Sequence, residues 1–331
     1  MNGTETDLFS GVPKNPSIED VLKGLVICRK FKPDVILAIG GGSAMDCAKA
    51  ILLFYEFPYL NFENVLEFNK KGEIPTERKT GLICVPSTSG TGSEVTRGTV
   101  ITDPEKELKV PIMTDCLRPD LAILDPEITM TMPDHVAAET GMDALTHAIE
   151  AYTNHNLDDF DEGLCSSAII GIMKWLPVSV FDKTLEAREK VHNYQAMAGI
   201  GFANVGLGMV HGIAHSFGAA YNMAHGLTNA IILPYVLRYN SRDAVVREKL
   251  AELSYRCHCN DIITEIEKMR EKLGIPASFR EAGITEEMYR EKYDLLLEHA
   301  MLGATNVNPV KMTIEEMKKM LNVVYTGNWE I

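Results

Sequence analysis

The sequence lacks any continuous apolar run close to the roughly 20 residues that a membrane-spanning helix needs. Its first segment, Met1 to Phe9, contains neither the basic region nor the apolar stretch of a secretory signal peptide. We therefore expect no membrane association and a cytoplasmic location. The composition, 46% hydrophobic and 24% charged over 331 residues, is typical of a soluble globular chain with room for two domains.

Positive charge is scarce as well, with 32 Lys and Arg residues against 46 Asp and Glu residues. Because this acidic field repels phosphate backbones, we expect no nucleic-acid partner, and an anionic ligand has to be held by local donors. The seven cysteines are scattered and indicate no disulfide framework. Cys257-His258-Cys259 is tighter than the usual Cys-x(2–4)-Cys of zinc sites and no second pair follows, so we interpret it as coincidental.

Strand-like and helix-like patterns alternate in the first third of the chain. Ser17 followed by Asp20 resembles a capping box and predicts a helix over 18–28. The apolar run 35–39 is typical of a buried parallel strand, and it ends at the glycines 40–42. The other predicted elements here are a helix over 43–54 and strands over 82–85, 98–102 and 121–124. Such alternation favours a doubly wound, Rossmann-like parallel sheet.

The pattern changes near residue 130, after which 3.6-residue periodicity dominates. The predicted helices cover 134–154, 161–180, 186–203, 208–221, 226–239, 243–256, 261–273, 285–302 and 313–325. We therefore predict an α/β dinucleotide-binding domain over 1–130 and an all-α catalytic domain over 131–331.

Histidines cluster in two predicted helical regions. Asp143 and His147 are four residues apart, as are His211 and His215, so each pair projects from one helix face, and His225 follows shortly after. Each pair alone is compatible with hydrogen-bonded core residues. The glycines and alanines around the second pair favour close helix packing, which would bring the pairs together. Three imidazoles and one carboxylate suit Fe(II) or Zn(II) and can leave a position open for a substrate oxygen.

Two glycine-rich segments follow predicted strands. Gly40-Gly-Gly-Ser43 lies where a strand meets a helix N-terminus, a place that attracts anions without net positive charge. It matches neither G-x-G-x-x-G nor the Walker pattern, and a tight turn is the alternative interpretation. Ser87-Thr-Ser-Gly-Thr-Gly-Ser93 is a second such loop, at the sheet edge where α/β proteins bind ligands. Together with the metal pattern, the two loops predict a dinucleotide plus a metal ion.

These segments closely resemble the iron-containing alcohol dehydrogenase family. The resemblance rests on Gly40-Gly-Gly-Ser-Ala-Met-Asp46, Pro86-Ser-Thr-Ser-Gly-Thr-Gly-Ser-Glu-Val-Thr96, Gly141-Met-Asp-Ala-Leu-Thr-His-Ala-Ile-Glu150 and the stretch from His211 to Gly226. It extends from Gly11-Val-Pro-Lys-Asn-Pro16 to Asn308-Pro309, nearly the whole chain.

The resemblance implies a role for each matching residue. The metal ligands would be Asp143, His147, His211 and His225, and His215 would be the catalytic residue that faces the nicotinamide and the substrate. The cofactor would be bound by Asn15, Gly41, Gly42, Ser43, Ser87, Thr88, Thr91, Thr96 and Lys109, with Asp46 supporting the turn. Phe202 would line the substrate pocket, and Gly98 falls where some relatives carry a larger polar residue, which indicates a roomier pocket.

The implied activity is hydride transfer between a primary alcohol or small diol and NAD or NADP, reversible to the aldehyde, with Fe(II) or alternatively Zn(II). A homodimer or larger homo-oligomer would be typical of relatives. A metal-dependent hydrolase is the alternative from the donor set alone. Only ten residues precede Gly11, where the family places a strand-helix-strand segment that reads the cofactor ribose, so a catalytically impaired metal-binding fragment is the other alternative. A sheet without that segment would expose an apolar edge.

Overall fold

A computed structural model describes residues 3–105 and 108–329. Contacts group the chain into two compact units, Met1–Ser87 with Ser93–Leu124, and Thr88–Gly92 with Asp125–Ile331. The segment Thr88–Gly92, which lies inside the first predicted domain, thus packs within the second unit. The domain boundary near residue 130 stays a prediction.

The first unit contains a small parallel sheet with helices. Its elements are α1 (Ile18–Phe31), β1 (Val35–Gly40), α2 (Gly42–Glu56), α3 (Val65–Lys71), β2 (Gly81–Pro86), β3 (Gly98–Asp103), β4 (Leu108–Met113) and β5 (Leu121–Ala122). The parallel strands lie in the order β1, β2, β5, with Val35 opposite Gly81 and Ile83 opposite Leu121. The carboxyl ends of β1 and β2 therefore meet at one edge, where both glycine segments begin.

The strand predicted over 98–102 exists but does not belong to the parallel sheet. β3 pairs antiparallel with β4, with Gly98 opposite Met113. A parallel neighbour needs a crossover of about a dozen residues, and the connection from Asp103 to Leu108 is too short for one. The prediction was wrong on this point, and it also missed β4 and α3.

Helix α1 begins as the sequence predicts. The hydroxyl of Ser17 accepts the backbone N–H of Asp20, while the carboxylate of Asp20 accepts the N–H of Ser17. The hydrogen bond from the Ser17 N–H to the carboxylate holds the pKa of Asp20 below its usual range. The helix buries Val21 and Leu25 against Ile51 and neighbouring residues of α2, so the cap fixes the start of a core helix.

One face of the sheet is buried and the other is open. Ala38 and Leu82 pack under Met45 and Leu52 of α2. On the opposite face the side chains of β1, an edge strand among the described residues, are Val35, Leu37 and Ile39 at 50%, 55% and 59% exposure. The exposed side chains of β1 therefore form an apolar surface on this face of the sheet.

The described residues of the second unit form helices and connecting loops, without a strand. Its helices are α4 (Asp134–Thr153), α5 (Asp159–Phe181), α6 (Leu185–Val205), α7 (Met209–Tyr221), α8 (His225–Asn240), α9 (Ala244–Arg256), α10 (Ile262–Lys272), α11 (Glu286–Glu291), α12 (Tyr293–Ala300) and α13 (Ile314–Thr326). Helix α4 lies at the centre, packed against α5, α6 and α8, and its residues from Gly141 to Thr153 are all buried. The predicted fold class, an α/β part followed by an all-α part, is confirmed.

Two predictions about the helical part need correction. The helix predicted over 285–302 is two helices, α11 and α12, which join at Lys292, whose ammonium donates to the carbonyl of Ala220. Against the expectation of no membrane-length segment, α5 is long and apolar enough to cross a membrane by length and composition. It packs on α4 and α6, and its apolar side chains contribute to the core, as Ile169 and Ile172 do.

Candidate metal centre and glycine loops

Four side chains from three helices converge in the second unit. Asp143 and His147 lie one turn apart on α4, His211 lies near the start of α7, and His225 is the first residue of α8. One ligand atom from each lies within 4.8 Å of the others, and the described residues contain no other such group. From Oδ1 of Asp143, the Nε2 atoms of His147, His211 and His225 are 3.9, 3.8 and 3.6 Å away. We call these four residues the donor group.

The chemistry of the donor group fits a divalent metal ion. One carboxylate faces three imidazole nitrogens inside the protein, and Asp143, His147 and His211 are buried. A carboxylate in such a place needs a compensating charge, and carboxylate oxygen with imidazole nitrogen is the ligand set of Fe(II) and Zn(II) sites. The side chain of His225 remains 25% exposed, so the donor group is open on one side.

Glycines let α8 pack closely on α4 and let α7 pack closely on the segment Gly303–Val307. A Cβ at Gly212 on α7 would lie 1.9 Å from the hydroxyl oxygen of Thr305, and a Cβ at Gly226 on α8 would lie 2.2 Å from the carbonyl oxygen of Glu139. A side chain at either position would push its helix away. The small residues noted beside the histidines therefore serve the close packing that the sequence suggested.

Two polar residues that were not predicted from the sequence contact the donor group. Glu150 on α4 accepts the Val210 N–H at 2.7 Å and is hydrogen bonded to Nδ1 of His211. Burial raises the pKa of Glu150 to about 8, although the backbone N–H of Val210 acts in the opposite direction. The sequence spacing could have indicated that Glu150 lies near the donor group, because Glu150 follows His147 by three residues and so lies on the same helix face.

Asn229 is the second of these residues. Its Nδ2 lies 2.6 Å from Oδ1 of Asp143, 3.1 Å from Nε2 of His211 and 3.2 Å from Nε2 of His225. It follows His225 by four residues on α8, which places it on the same face of that helix. The side-chain NH2 group of Asn229 therefore contacts three members of the donor group.

His215 and Phe202 also lie beside the donor group. The ring of His215, one turn after His211 on α7, stacks on the ring of His225 with centroids 5.1 Å apart, yet it is not a member of the converging set. The ring of Phe202 stacks on His147 at 4.4 Å, as a residue lining this site would. By contrast, the segment Cys257-His258-Cys259 forms no donor group with other described residues.

The loop Thr88–Gly92, which contains the predicted cofactor residues Thr88 and Thr91, packs on α6 of the second unit. Gly92 donates its N–H to Oε1 of Gln195 at 2.9 Å. The hydroxyl of Ser89 lies 2.9 Å from Nδ1 of His192. Gly92 has a positive φ of 61°, and a Cβ there would lie 2.7 Å from the Cα of Gly199. Only glycine fits this position without a shift of the backbone.

Five other predicted cofactor residues meet at the carboxyl edge of the sheet in the first unit. They are Asn15, Gly41, Gly42, Ser43 and Ser87. Gly41 precedes the first residue of α2, the N–H of Ser87 donates to the carbonyl of Gly40 at 2.9 Å, and the N–H of Asn15 reaches Oγ of Ser43 at 3.4 Å. Free N–H groups at the start of α2 lie at this edge, where an anion would be stabilised.

The predicted turn support, Asp46, accepts the hydroxyl of Ser93 at 2.8 Å and the N–H of Val100 at 2.9 Å. Burial raises the pKa of Asp46, while the positive charge of Lys49 acts to lower it. Lys109 on β4 lies opposite Thr102 in the hairpin, and its charge also acts on Asp46. Asp46 thus joins α2 to the start of β3.

Lys49, which was not predicted from the sequence, holds the segment from Ser93 to Gly98 in place. Its buried ammonium donates to the carbonyl oxygens of Ser93, Thr96 and Gly98 at 2.6, 2.9 and 2.9 Å. The predicted residues Thr96 and Gly98 are thereby fixed. A Cβ at Gly98 would lie 2.5 Å from Sδ of Met113, a flexible side chain.

Comparison with known proteins gives a consistent result. The family model for iron-containing alcohol dehydrogenase matches residues 1–126, and the C-terminal model of the Fe-containing alcohol dehydrogenase family matches residues 137–325. The chain is 40% identical over 333 residues to an NADPH-dependent butanol dehydrogenase of Clostridium saccharobutylicum, covering 98% of this chain and 85% of that protein.

Solved structures are similar as well. An iron-containing alcohol dehydrogenase from Thermococcus thioreducens matches with a TM-score of 0.88 and 36% identity, over 97% of this chain and 85% of that one. A sulfoacetaldehyde reductase from Bifidobacterium kashiwanohense, solved in complex with NAD+, matches with a TM-score of 0.85 and 26% identity, over 99% of this chain and 85% of that one.

Proposed function

The chain belongs to the iron-containing alcohol dehydrogenase family, and we propose that the donor group holds its divalent metal ion. The convergence of one buried carboxylate and three imidazoles is the observation that carries this proposal. The chain is accordingly a metal-dependent alcohol dehydrogenase that uses a nicotinamide cofactor. We propose a primary alcohol or small diol as the substrate, with the aldehyde as the substrate of the reverse reaction, because butanol is the alcohol in the name of a similar enzyme.

When bound, the metal ion supplies Lewis acidity and the nicotinamide supplies the hydride chemistry. The protein supplies binding and orientation. Among the four residues of the donor group, His225 has the side chain that is open to solvent, so a substrate oxygen approaches from that side. The ring of Phe202 stacks on His147 and shields one face of that imidazole.

His215 is the residue that we assign to the proton. Its ring lies against His225, on the open side of the donor group, and an imidazole can both accept and donate a proton. His215 would orient the substrate hydroxyl and pass on its proton.

The cofactor phosphates are assigned to the sheet edge of the first unit. The start of α2 at Gly41 and Gly42 offers backbone N–H groups, and Ser43 and Ser87 add hydroxyls beside them. Asn15 belongs to the same group through its contact with Ser43. The remaining assigned cofactor residues are Thr88, Thr91, Thr96 and Lys109, with Asp46 as support.

The test is anaerobic purification with Fe(II) or Zn(II), followed by elemental analysis and an NAD(P)H absorbance assay on short alcohols and aldehydes. The wild type is compared with His211→Ala and with a control, His155→Ala, whose ring is 47% exposed. One metal ion per chain and activity in the wild type and the control, with both lost in His211→Ala, would support the proposal. Metal-free wild-type protein would refute it.

We also propose a cytoplasmic location and a homodimer or larger homo-oligomer, and the exposed apolar residues of β1 support the assembly. Light scattering of the purified chain tests the assembly, and a monomer at micromolar concentration would refute it. Fractionation of the producing cells tests the location, and recovery in the membrane fraction would refute it.

A further inference from the structure

Glu150 connects the helix of Asp143 and His147 to the beginning of the helix that carries His211. One carboxylate oxygen is hydrogen bonded to Nδ1 of His211, and the other accepts the N–H of Val210 at 2.7 Å. The backbone passes so close that a Cβ at Gly208 would lie 2.9 Å from Oε1 of Glu150. Glu150 is 4% exposed, so water does not compete for these bonds.

The hydrogen bond between Glu150 and Nδ1 of His211 leaves Nε2 as the nitrogen available to a metal ion. When Nε2 binds a cation, the ring proton lies on Nδ1, which donates it to Glu150. The other nitrogen, Nε2, then presents its lone pair toward Asp143, from which it is 3.8 Å away. A metal-binding histidine needs this tautomer, and a carboxylate on its second nitrogen also raises its basicity.

We propose that Glu150 is a positioning residue for the metal ion: it keeps the His211 proton on Nδ1 and fixes the start of α7, so that Nε2 is ready to bind. This inference rests on the proposed metal site at the donor group. No donor atom of Glu150 itself belongs to that group.

Glu150→Gln separates positioning from a purely structural role. Glutamine has one acceptor oxygen, and the backbone N–H groups of Gly208 and Val210 both face position 150. We expect that oxygen to stay with the backbone, which turns the amide NH2 toward Nδ1 of His211 and moves the ring proton to Nε2. The start of α7 is then retained while the metal-binding lone pair is lost.

The measurement is the Zn(II) dissociation constant of the full chain, obtained with a chromophoric competitor chelator, together with the unfolding temperature of the metal-free protein. We expect binding about 10- to 100-fold weaker in Glu150→Gln. The matched control is Asp161→Asn, which neutralises another buried helix carboxylate, one that accepts from Asn204 at 3.1 Å. We expect wild-type Zn(II) affinity for this control.

The outcomes distinguish the two proposals. A wild type without Zn(II) affinity would overturn the metal site and this inference together. A wild type that binds Zn(II) and a folded Glu150→Gln that binds equally well would overturn the inference alone. If Glu150→Gln does not fold, nitrogen NMR of histidine-labelled, Zn(II)-loaded wild type decides, with the His211 signals identified by their absence in His211→Asn. A protonated Nδ1 supports the inference, and a protonated Nε2 overturns it.

Discussion

Nδ1 of His147 lies 3.3 Å from the carbonyl oxygen of Gly90, which connects a proposed metal ligand to the loop Thr88–Gly92. Because a carbonyl only accepts, a neutral His147 carries its proton on Nδ1 and turns Nε2 toward Asp143. The two buried ligands His147 and His211 are thus oriented by different acceptors, a backbone carbonyl in one case and a carboxylate in the other.

Gly90→Ala should disturb this connection. Its methyl group would lie 2.7 Å from both Cβ and the carbonyl oxygen of Thr140, so the loop has to move away from α4. We expect a loss of about 1–3 kcal/mol in unfolding free energy and weaker Zn(II) binding, measured by denaturant titration and chelator competition. Gly163→Ala is the control, because nothing lies within 4 Å of its Cβ position, and it should leave both quantities unchanged or slightly raise stability. Equal behaviour of the two variants would contradict the prediction.

Asn229→Asp should make folding depend on metal. The new carboxylate would replace an amide donor that lies 2.6 Å from Oδ1 of Asp143, so two negative charges would meet in a buried site. We expect the metal-free unfolding temperature to fall, and Zn(II) to raise it by more than in the wild type, because a cation compensates both charges. Calorimetry with and without Zn(II) measures this. The exposed Asn322→Asp should show neither effect, and an unchanged metal-free temperature in Asn229→Asp would disprove the idea.

Lys49→Met should destabilise the first unit. The change removes a buried ammonium and leaves the carbonyl oxygens of Ser93, Thr96 and Gly98 without their donor. We expect the unfolding free energy to fall by about 3 kcal/mol or more, the range for breaking a buried charged cluster. Lys23→Met on α1, whose side chain is 59% exposed, should change it by no more than about 0.5 kcal/mol. A loss below about 1 kcal/mol in Lys49→Met would show that water replaces the ammonium.

His192 should make stability depend on pH. Burial lowers the pKa of His192 from 6.5 to about 4, so the folded protein holds it neutral while the unfolded chain protonates it. The contribution of neutral His192 to the free energy of unfolding is therefore present above pH 6.5 and is lost as the pH falls toward 4. Between pH 7 and pH 5 the wild type should therefore lose about 2 kcal/mol more than His192→Asn.

Denaturant titrations at both pH values measure the effect of His192. The control is His155→Asn, whose histidine is 47% exposed, and it should keep the wild-type loss. The same loss in His192→Asn as in the wild type would assign the pH dependence to other groups.

Much of the fold follows from local patterns. The capping box of Ser17 and Asp20, the strand that ends at Gly40 and most helix positions after residue 130 agree with the structure. The hairpin of β3 and β4 was not predicted as such, because an alternating pattern indicates a strand without indicating its partner. The short connection between Asp103 and Leu108 indicated that the next strand is the antiparallel partner.

For the site, spacing places Asp143 with His147, and His211 with His215, on shared helix faces, because the α-helix repeats every 3.6 residues. The sequence alone therefore determined which side chains could act together on one helix. Only the tertiary structure decided that α4, α7 and α8 meet, that His215 stays outside the converging set, and that Glu150 and Asn229 contact it. These contacts join residues far apart in the chain, and they depend on how closely α8 packs on α4 at Gly226, which no local pattern encodes.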